Sequence, residues 1–355
     1  MVSLLPVSGL DDSQRDLFAG YVEVYAASGR ALFGDEHTAW GADELREMER
    51  SPTRRKVAAA AVQPDGEVVG SVSVVLRTRE NPRVAFLSLA VHPDHRRRGV
   101  GAELLRWAEA RAVEHGRSVF IAETEWPAGG TDVSGKTFAR GHGYAPAQRV
   151  LRSILPLPVD SAMLAGLGEG SGDASTPDYV LETSLDGIPE AWLEDRAELQ
   201  RRMSTDVPLG DLQLEEEDWD TDRMRGEYEV LSAMGRRVVE TVARHVPTGR
   251  LVGYTQVQVS LETPTLGYQQ DTLVVREHRG HGLGLRLKAA NTAAVMEHVP
   301  GLTAIRTWNA DDNTHMLAVN QRLGYVVDGY LREWQKVLSS GTIRVGDAVE
   351  ADPTG

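Results

Sequence analysis

The chain has 355 residues, no Cys and a formal charge of −14; its length suits two domains, since one core usually serves roughly 100–200 residues. The absence of Cys excludes disulfide scaffolds, Cys-ligated zinc, iron–sulfur clusters and a Cys nucleophile, and it suits a reducing, cytoplasmic compartment. No apolar run approaches the roughly 18 residues of a membrane span, and MVSLLPVSGLDD lacks the basic start of a signal peptide, so no membrane partner is expected. Residues 1–155 hold 20 Lys+Arg and 20 Asp+Glu, and residues 156–355 hold 18 and 32, which places the whole acidic excess in the second half. A field of that sign disfavours nucleic acid as a partner and suits a cationic ligand.

The elements come in one order, twice. An apolar stretch, Val2–Val7, precedes a helical region from about Ser13 to Ala27. KVAAAAV, a PDG turn and EVVGSVSVVL form a hairpin, and RVAFLSLAV (83–91) is the next strand. The polar tip HPDHRRRGVG opens a helix predicted over 100–114, followed by the strand SVFIAET. GLGEGSGDASTP (166–177) is Gly/Ser-rich and reads as a linker or long loop. The second copy has a strand at 179–185, helical patterns at 189–203 and 215–235, a hairpin, and the strand LGYQQDTLVV. The tip REHRGHGLG then opens a helix over 283–298, followed by LTAIRTW, the helix DNTHMLAVNQRL and a strand at 325–337. Hairpins followed by strand–helix–strand crossovers predict an α/β fold, each domain a mixed, mostly antiparallel sheet with helices on both faces. The expected domains are 1–157 and 178–340, joined by a linker at 158–177 and trailed by a flexible tail at 341–355.

Two glycine tips carry the chemistry: Arg96, Arg97, Arg98, Gly99, Val100, Gly101, and Arg279, Gly280, His281, Gly282, Leu283, Gly284. Both fit R-x-x-G-x-G, follow a strand and open a helix. Free N–H groups at a helix start converge on one point, the dipole favours negative charge, and glycines allow close backbone approach, a combination suited to a diphosphate. One such tip is a weak signal; two in matching context point to a phosphate-containing ligand. The histidines at the tips lack ligand spacing, so no metal is expected.

VHPDHRRRGVGAELL and VREHRGHGLGLRLKAAN resemble the acetyl-CoA-binding motif of GNAT-superfamily N-acetyltransferases, over nearly the whole chain as two tandem domains of the actinobacterial type whose architecture mycothiol synthase shares. The resemblance implies that the strand before each tip splays at a bulge. Backbone N–H groups of Leu89, Ala90 and Val91, or of Thr272, Leu273 and Val274, would then bind the thioester and pantetheine arm, and the tips would cradle the pyrophosphate. TWNADDNTHMLAVNQRLGY further resembles the segment whose Asn contacts the cofactor, which assigns Asn309, Asn313 and Asn320 to it. In the first copy Asp132 and Ala139 stand where Asn313 and Asn320 stand in the second, so the second domain is expected to be the catalytic one.

The reaction so implied is direct attack of a primary amine, a small molecule or peptide that the acidic field suits if cationic, on acetyl-CoA in a ternary complex. The amine, with a pKa of roughly 10, must first lose a proton. Asp271, just before the expected bulge, is the candidate base. The Tyr that many members use as acid is absent: its positions hold Asn320 and Ala139. That gap keeps open a non-catalytic acyl-CoA-binding regulatory module. The acidic run Leu212–Asp222 is a candidate for attracting a cationic amine, or else a solvated helix start.

Overall fold

The computed structural model describes residues 2–131, 133–169 and 178–338; Asp132, the Gly/Ser-rich stretch 170–177 and the tail expected at 341–355 lie outside them. The first repeat comprises β1 (Ser3–Pro6), α1 (Arg15–Phe33), α2 (Ala42–Met48), β2 (Arg54–Val62), β3 (Val68–Arg77), β4 (Val84–Val91), α3 (Val100–Glu114), β5 (Val119–Pro127), α4 (Val133–Gly141) and β6 (Ala145–Pro156). After α5 (Ser161–Glu169) the second comprises β7 (Tyr179–Leu185), α6 (Leu193–Asp206), α7 (Thr221–Ala233), β8 (Arg236–His245), β9 (Leu251–Ser260), β10 (Leu266–Val274), α8 (Leu283–His298), β11 (Ala304–Ala310), α9 (Thr314–Leu323) and β12 (Val326–Val337). The architecture is the mixed α/β class expected, with β4–β5 and β10–β11 parallel across their crossover helices. None of the described helices is long and apolar enough to cross a membrane.

Period-two alternation places the layers. Ala58 and Ala60 of β2 pack with Phe18 and Tyr21 of α1, while Ala59 and Ala61 pack with Leu104 and Ala108 of α3. One strand thus serves a helix layer on each face of the sheet.

Among the described residues, twelve strands form one sheet, ordered β1-β2-β3-β4-β5-β12-β6-β11-β10-β9-β8-β7. The repeats exchange their last strands: β6 pairs with β11 of the second repeat, and β12 inserts between β5 and β6. Trp334 of β12 is fully buried in the core of the first repeat, and Leu155 of β6 in that of the second. Each core is completed by the other repeat's strand. Strand β6 escapes sequence reading because Pro146 and three arginine or glutamine side chains interrupt its apolar pattern.

At the exchange Arg152 (β6) and Arg306 (β11) are both buried. Arg306 donates to Asp328 at 2.7 Å, Arg152 lies 3.5 Å from the same carboxylate, and both donate to the Glu36 carbonyl at 2.6 Å. Asp328 sits where the β12–β6 register slips between Val327 and Gly329, a bulge that turns its side chain inward.

Two expectations are corrected. Residues 161–169 of the expected linker form α5, whose Leu164 is buried in the second core. The helix expected from Glu215 begins at Thr221, where the Asp220 side chain accepts from Arg223 N at 2.7 Å and caps it. The acidic run before it is a strap across the first repeat: Leu212 and Leu214 pack on Val84, Val119 and Ile121, Glu217 meets Arg77 at 2.7 Å, and Asp220 meets Arg79 at 2.6 Å. Its charges serve docking between repeats.

Candidate active site

Both parallel strand pairs open into wedges. Strands β4 and β5 pair only from Val84/Val119 to Leu87/Ala122, and β10 and β11 only from Leu266/Ala304 to Tyr268/Arg306. Beyond those points Leu89, Ala90 and Val91, and Thr272, Leu273 and Val274, pair on one side alone. Their other edge has no ladder partner and faces the wedge.

The wedges differ. In β10 the register with β9 slips between Gln269 and Thr272, a bulge at Gln270–Asp271. Gln269 Nε2 secures it, donating to the Gln256 carbonyl at 2.8 Å, Thr255 Oγ1 at 3.0 Å and the Gln270 carbonyl at 3.1 Å. The β3–β4 ladder runs from Phe86 to Val91 with no slip, so the bulge expected in the first repeat is absent; only the second strand is bent away from its hairpin partner.

At the tips, Gly99 and Gly282 are the residues before the first turns of α3 and α8, with φ of 86° and 68°. An L side chain is disfavoured there, and a Cβ on either would enter open space. The positions before them differ, Arg97 at φ 64° against Gly280 at φ 86°. A Cβ on Gly101 would lie 3.3 Å from the Phe138 ring, whereas Gly284 is open. In the second repeat the first-turn N–H groups of Leu283 and Gly284, with the backbone of His281, thus border a clear cradle that fits a diphosphate. The tip arginines brace their own strands: Arg96 Nε donates to the Val91 carbonyl at 3.2 Å and Arg279 Nε to the Val274 carbonyl at 2.9 Å. Arg98 and Val100 complete the first tip, Val100 with its side chain in the core.

Both wedges open into one cavity of about 970 Å³, walled by Ser88, Leu89, Ala90, Arg96, Glu123 and Glu125 from the first repeat and by Asp271, Thr272, Asn309 and Asn313 from the second. Glu333 of β12, Lys288 of α8 and Trp40 also line it, whereas Trp192 lies in the core. Asp271 accepts from Gln200 Nε2 at 2.8 Å and from the Tyr254 hydroxyl at 3.3 Å, which hold it at the bulge. Asn313 caps α9, accepting from Met316 N at 3.2 Å. Asn320 is buried and donates to Asn309 Oδ1 at 2.7 Å, so Asn309 reaches the cavity and Asn320 stands behind it.

Sequence reasoning missed the carboxylates of the first wedge. Glu123 lies directly opposite Glu333 across the β5–β12 pair. Glu123 is exposed at the open cavity, and desolvation by the surrounding wall, with Glu333 and Glu125 beside it, pushes its carboxyl up to about 7. Burial pushes Glu333 up to about 7 as well, and raises Glu125 against the pull of Arg152 and Arg306. Glu123 and Glu333 bind their protons more tightly folded than unfolded, so their stabilising contribution is complete below 4.5 and lost as pH rises to about 7. Glu333→Gln is expected to flatten the fall in melting temperature between about pH 5 and pH 8; a fall as steep as in the parent chain would contradict this pairing. Among the described residues no group of His, Asp or Glu is arranged to hold a metal ion.

Residues 22–126 match the acetyltransferase (GNAT) family. Mycothiol acetyltransferases of two Mycobacterium strains, JLS and MCS, are 34% identical over 145 residues, a match that covers 39% of this chain and 44% of theirs. A tandem GNAT protein from the clavulanic acid biosynthesis pathway superposes with a TM-score of 0.78 at 26% identity, over 95% of this chain and 98% of that one. A GCN5-related N-acetyltransferase from Sphaerobacter thermophilus shares the fold, with a TM-score of 0.62 at 16% identity over 94% and 95% of the chains. The glycine tips, the paired wedges and these likenesses agree: residues 22–126 are a domain of the GNAT acetyltransferase family, and the chain as a whole has the tandem GNAT architecture.

Proposed function

We infer that the protein is an N-acetyltransferase that takes acetyl-CoA in the second wedge and an amine acceptor in the shared cavity. The observation that carries this is the bulged strand β10, splayed beside an open glycine cradle and facing a cavity lined by carboxylates. When bound, acetyl-CoA supplies an activated acetyl thioester. Gly280, Gly282 and Gly284 leave room for its diphosphate, and the unpaired edge of Thr272–Val274 offers N–H groups where negative charge develops on the carbonyl oxygen. Asp271, aimed by Gln200 and Tyr254, takes the proton that the amine must lose.

The acceptor is a cationic amine. Glu123, Glu125 and Glu333 place three carboxylates on the cavity wall opposite the second wedge, and a protonated amine is the partner such a wall favours. Asp271→Asn is expected to lower kcat by about 10²-fold and to leave acetyl-CoA affinity within a few-fold, since general bases typically contribute at least that much. An unchanged kcat would remove Asp271 from the role. The competing reading, a non-catalytic acyl-CoA-binding module, draws support from Asn320 and Ala139 at the positions of the missing Tyr. Thiol release from acetyl-CoA across a panel of polyamines, amino acids and peptides separates the two: binding without release on every amine favours the module.

A further inference from the structure

Lysine is rarely buried without a carboxylate, because its ammonium loses hydration that nothing replaces. Lys288 of α8 is 1% exposed and has no ion pair among the described side chains. The carboxylates on strands packed against α8 are taken up elsewhere: Glu182 by Arg244, Glu240 by Arg196, and Asp271 by Gln200 and Tyr254. Tyr325 faces Lys288, its ring centre 4.9 Å from Nζ. Nζ donates to Asn320 Oδ1 at 2.6 Å, and Asn320 donates on to Asn309 at 2.7 Å. Of the three N–H groups of an ammonium, Asn320 accepts one, and Lys288 forms part of the cavity wall together with Thr272, Asn309 and Asn313. Asn320 is the residue that replaces the Tyr acid.

We propose that Lys288 is the proton donor to the departing thiol, reaching the sulfur from the wall behind the bulge and held in place by Asn320. The proposal rests on the acetyl-transfer reading above. In the step it serves, the amine, already relieved of its ammonium proton by Asp271, forms the new C–N bond, and its nitrogen gives up a second proton to cavity water. The C–S bond breaks with its electron pair on sulfur, Lys288 gives that sulfur a proton, and the neutral lysine regains one from cavity water. Burial alone pushes the ammonium down to about 7 from 10.5, and negative charge developing on the sulfur favours its charged form, so Lys288 meets the departing thiolate as a cation.

The chain contains no Cys, so the thiolate absorbance of a bound CoA is its only thiol signal. Coenzyme A is bound to the full chain and its thiol titrated by ultraviolet absorbance, in the parent protein and in Lys288→Met, with affinities measured by calorimetry. A cationic neighbour lowers a thiol by about 1–3 pH units. The parent is expected to show bound CoA titrating at least one unit lower than it does in Lys288→Met, at affinities within about fivefold. Lys288→Arg, which restores the charge, is expected to recover the lowered value, and Lys288→Gln replaces the methionine variant if that variant does not fold. Equal thiol titration in the parent and the neutral variant, with CoA bound, overturns the role of Lys288 and leaves the acetyl-transfer reading intact. Failure of the parent chain to bind CoA overturns that reading and this proposal together.

Discussion

Gly282→Val is expected to abolish acetyl-CoA binding in the second repeat and acetyl transfer with it. Gly282 has φ 68° immediately before α8, a conformation that a β-branched residue adopts only at a cost of roughly 1–2 kcal/mol. The new side chain would also occupy space that is now open on the face where the first-turn N–H groups converge. Losing one or two charge-assisted backbone hydrogen bonds costs about 2–4 kcal/mol, or roughly 30- to 1,000-fold in affinity. Calorimetry with acetyl-CoA and a thiol-release assay measure both consequences. Parent-like binding and turnover would show that the second tip is not the cradle, and a loss confined to Gly99→Val would move the working site to the first repeat.

Asp328→Ala should destabilise the whole molecule by about 3–5 kcal/mol, the usual effect of removing one partner from a buried ion cluster. Asp328 is the one carboxylate within ion-pair distance of both Arg152 and Arg306 among the described residues, and the two guanidinium groups repel each other. Without it, the two buried cations are left with the Glu36 carbonyl, an exposed Glu36 side chain and the weaker pull of Glu125. Because β6 and β12 each complete the other repeat's core, unfolding is expected to remain a single transition rather than splitting into two. Denaturant titration reads both quantities. A loss below about 1 kcal/mol, or two separate transitions, would refute this account of the exchange.

Helices α3 and α8 begin and end where the sequence places them, 100–114 and 283–298. Their signals are local: a glycine pair that needs positive φ, then an apolar face at helical spacing. Strand β7 and the hairpins are legible for the same reason, since alternation and turn residues act within a few positions. The helix expected at Glu215 fails because charge density alone does not start a helix, while the true local signal, Asp220 as a cap before Thr221, lies further on.

The sequence by itself determined the fold class, the two glycine tips and the position of Asp271 beside them, all from patterns a few residues long. Only the tertiary structure decided that the last strands change places, that one repeat has a bulge and the other does not, and that the wedges share a cavity. It also assembled the chemistry there: Glu333 meets Glu123 only because β12 inserts beside β5, and Lys288 loses its water only because α9 and Tyr325 close over it. Burial and proximity set the charge state of such groups, and both are made by residues far apart along the chain, where no local pattern can carry them.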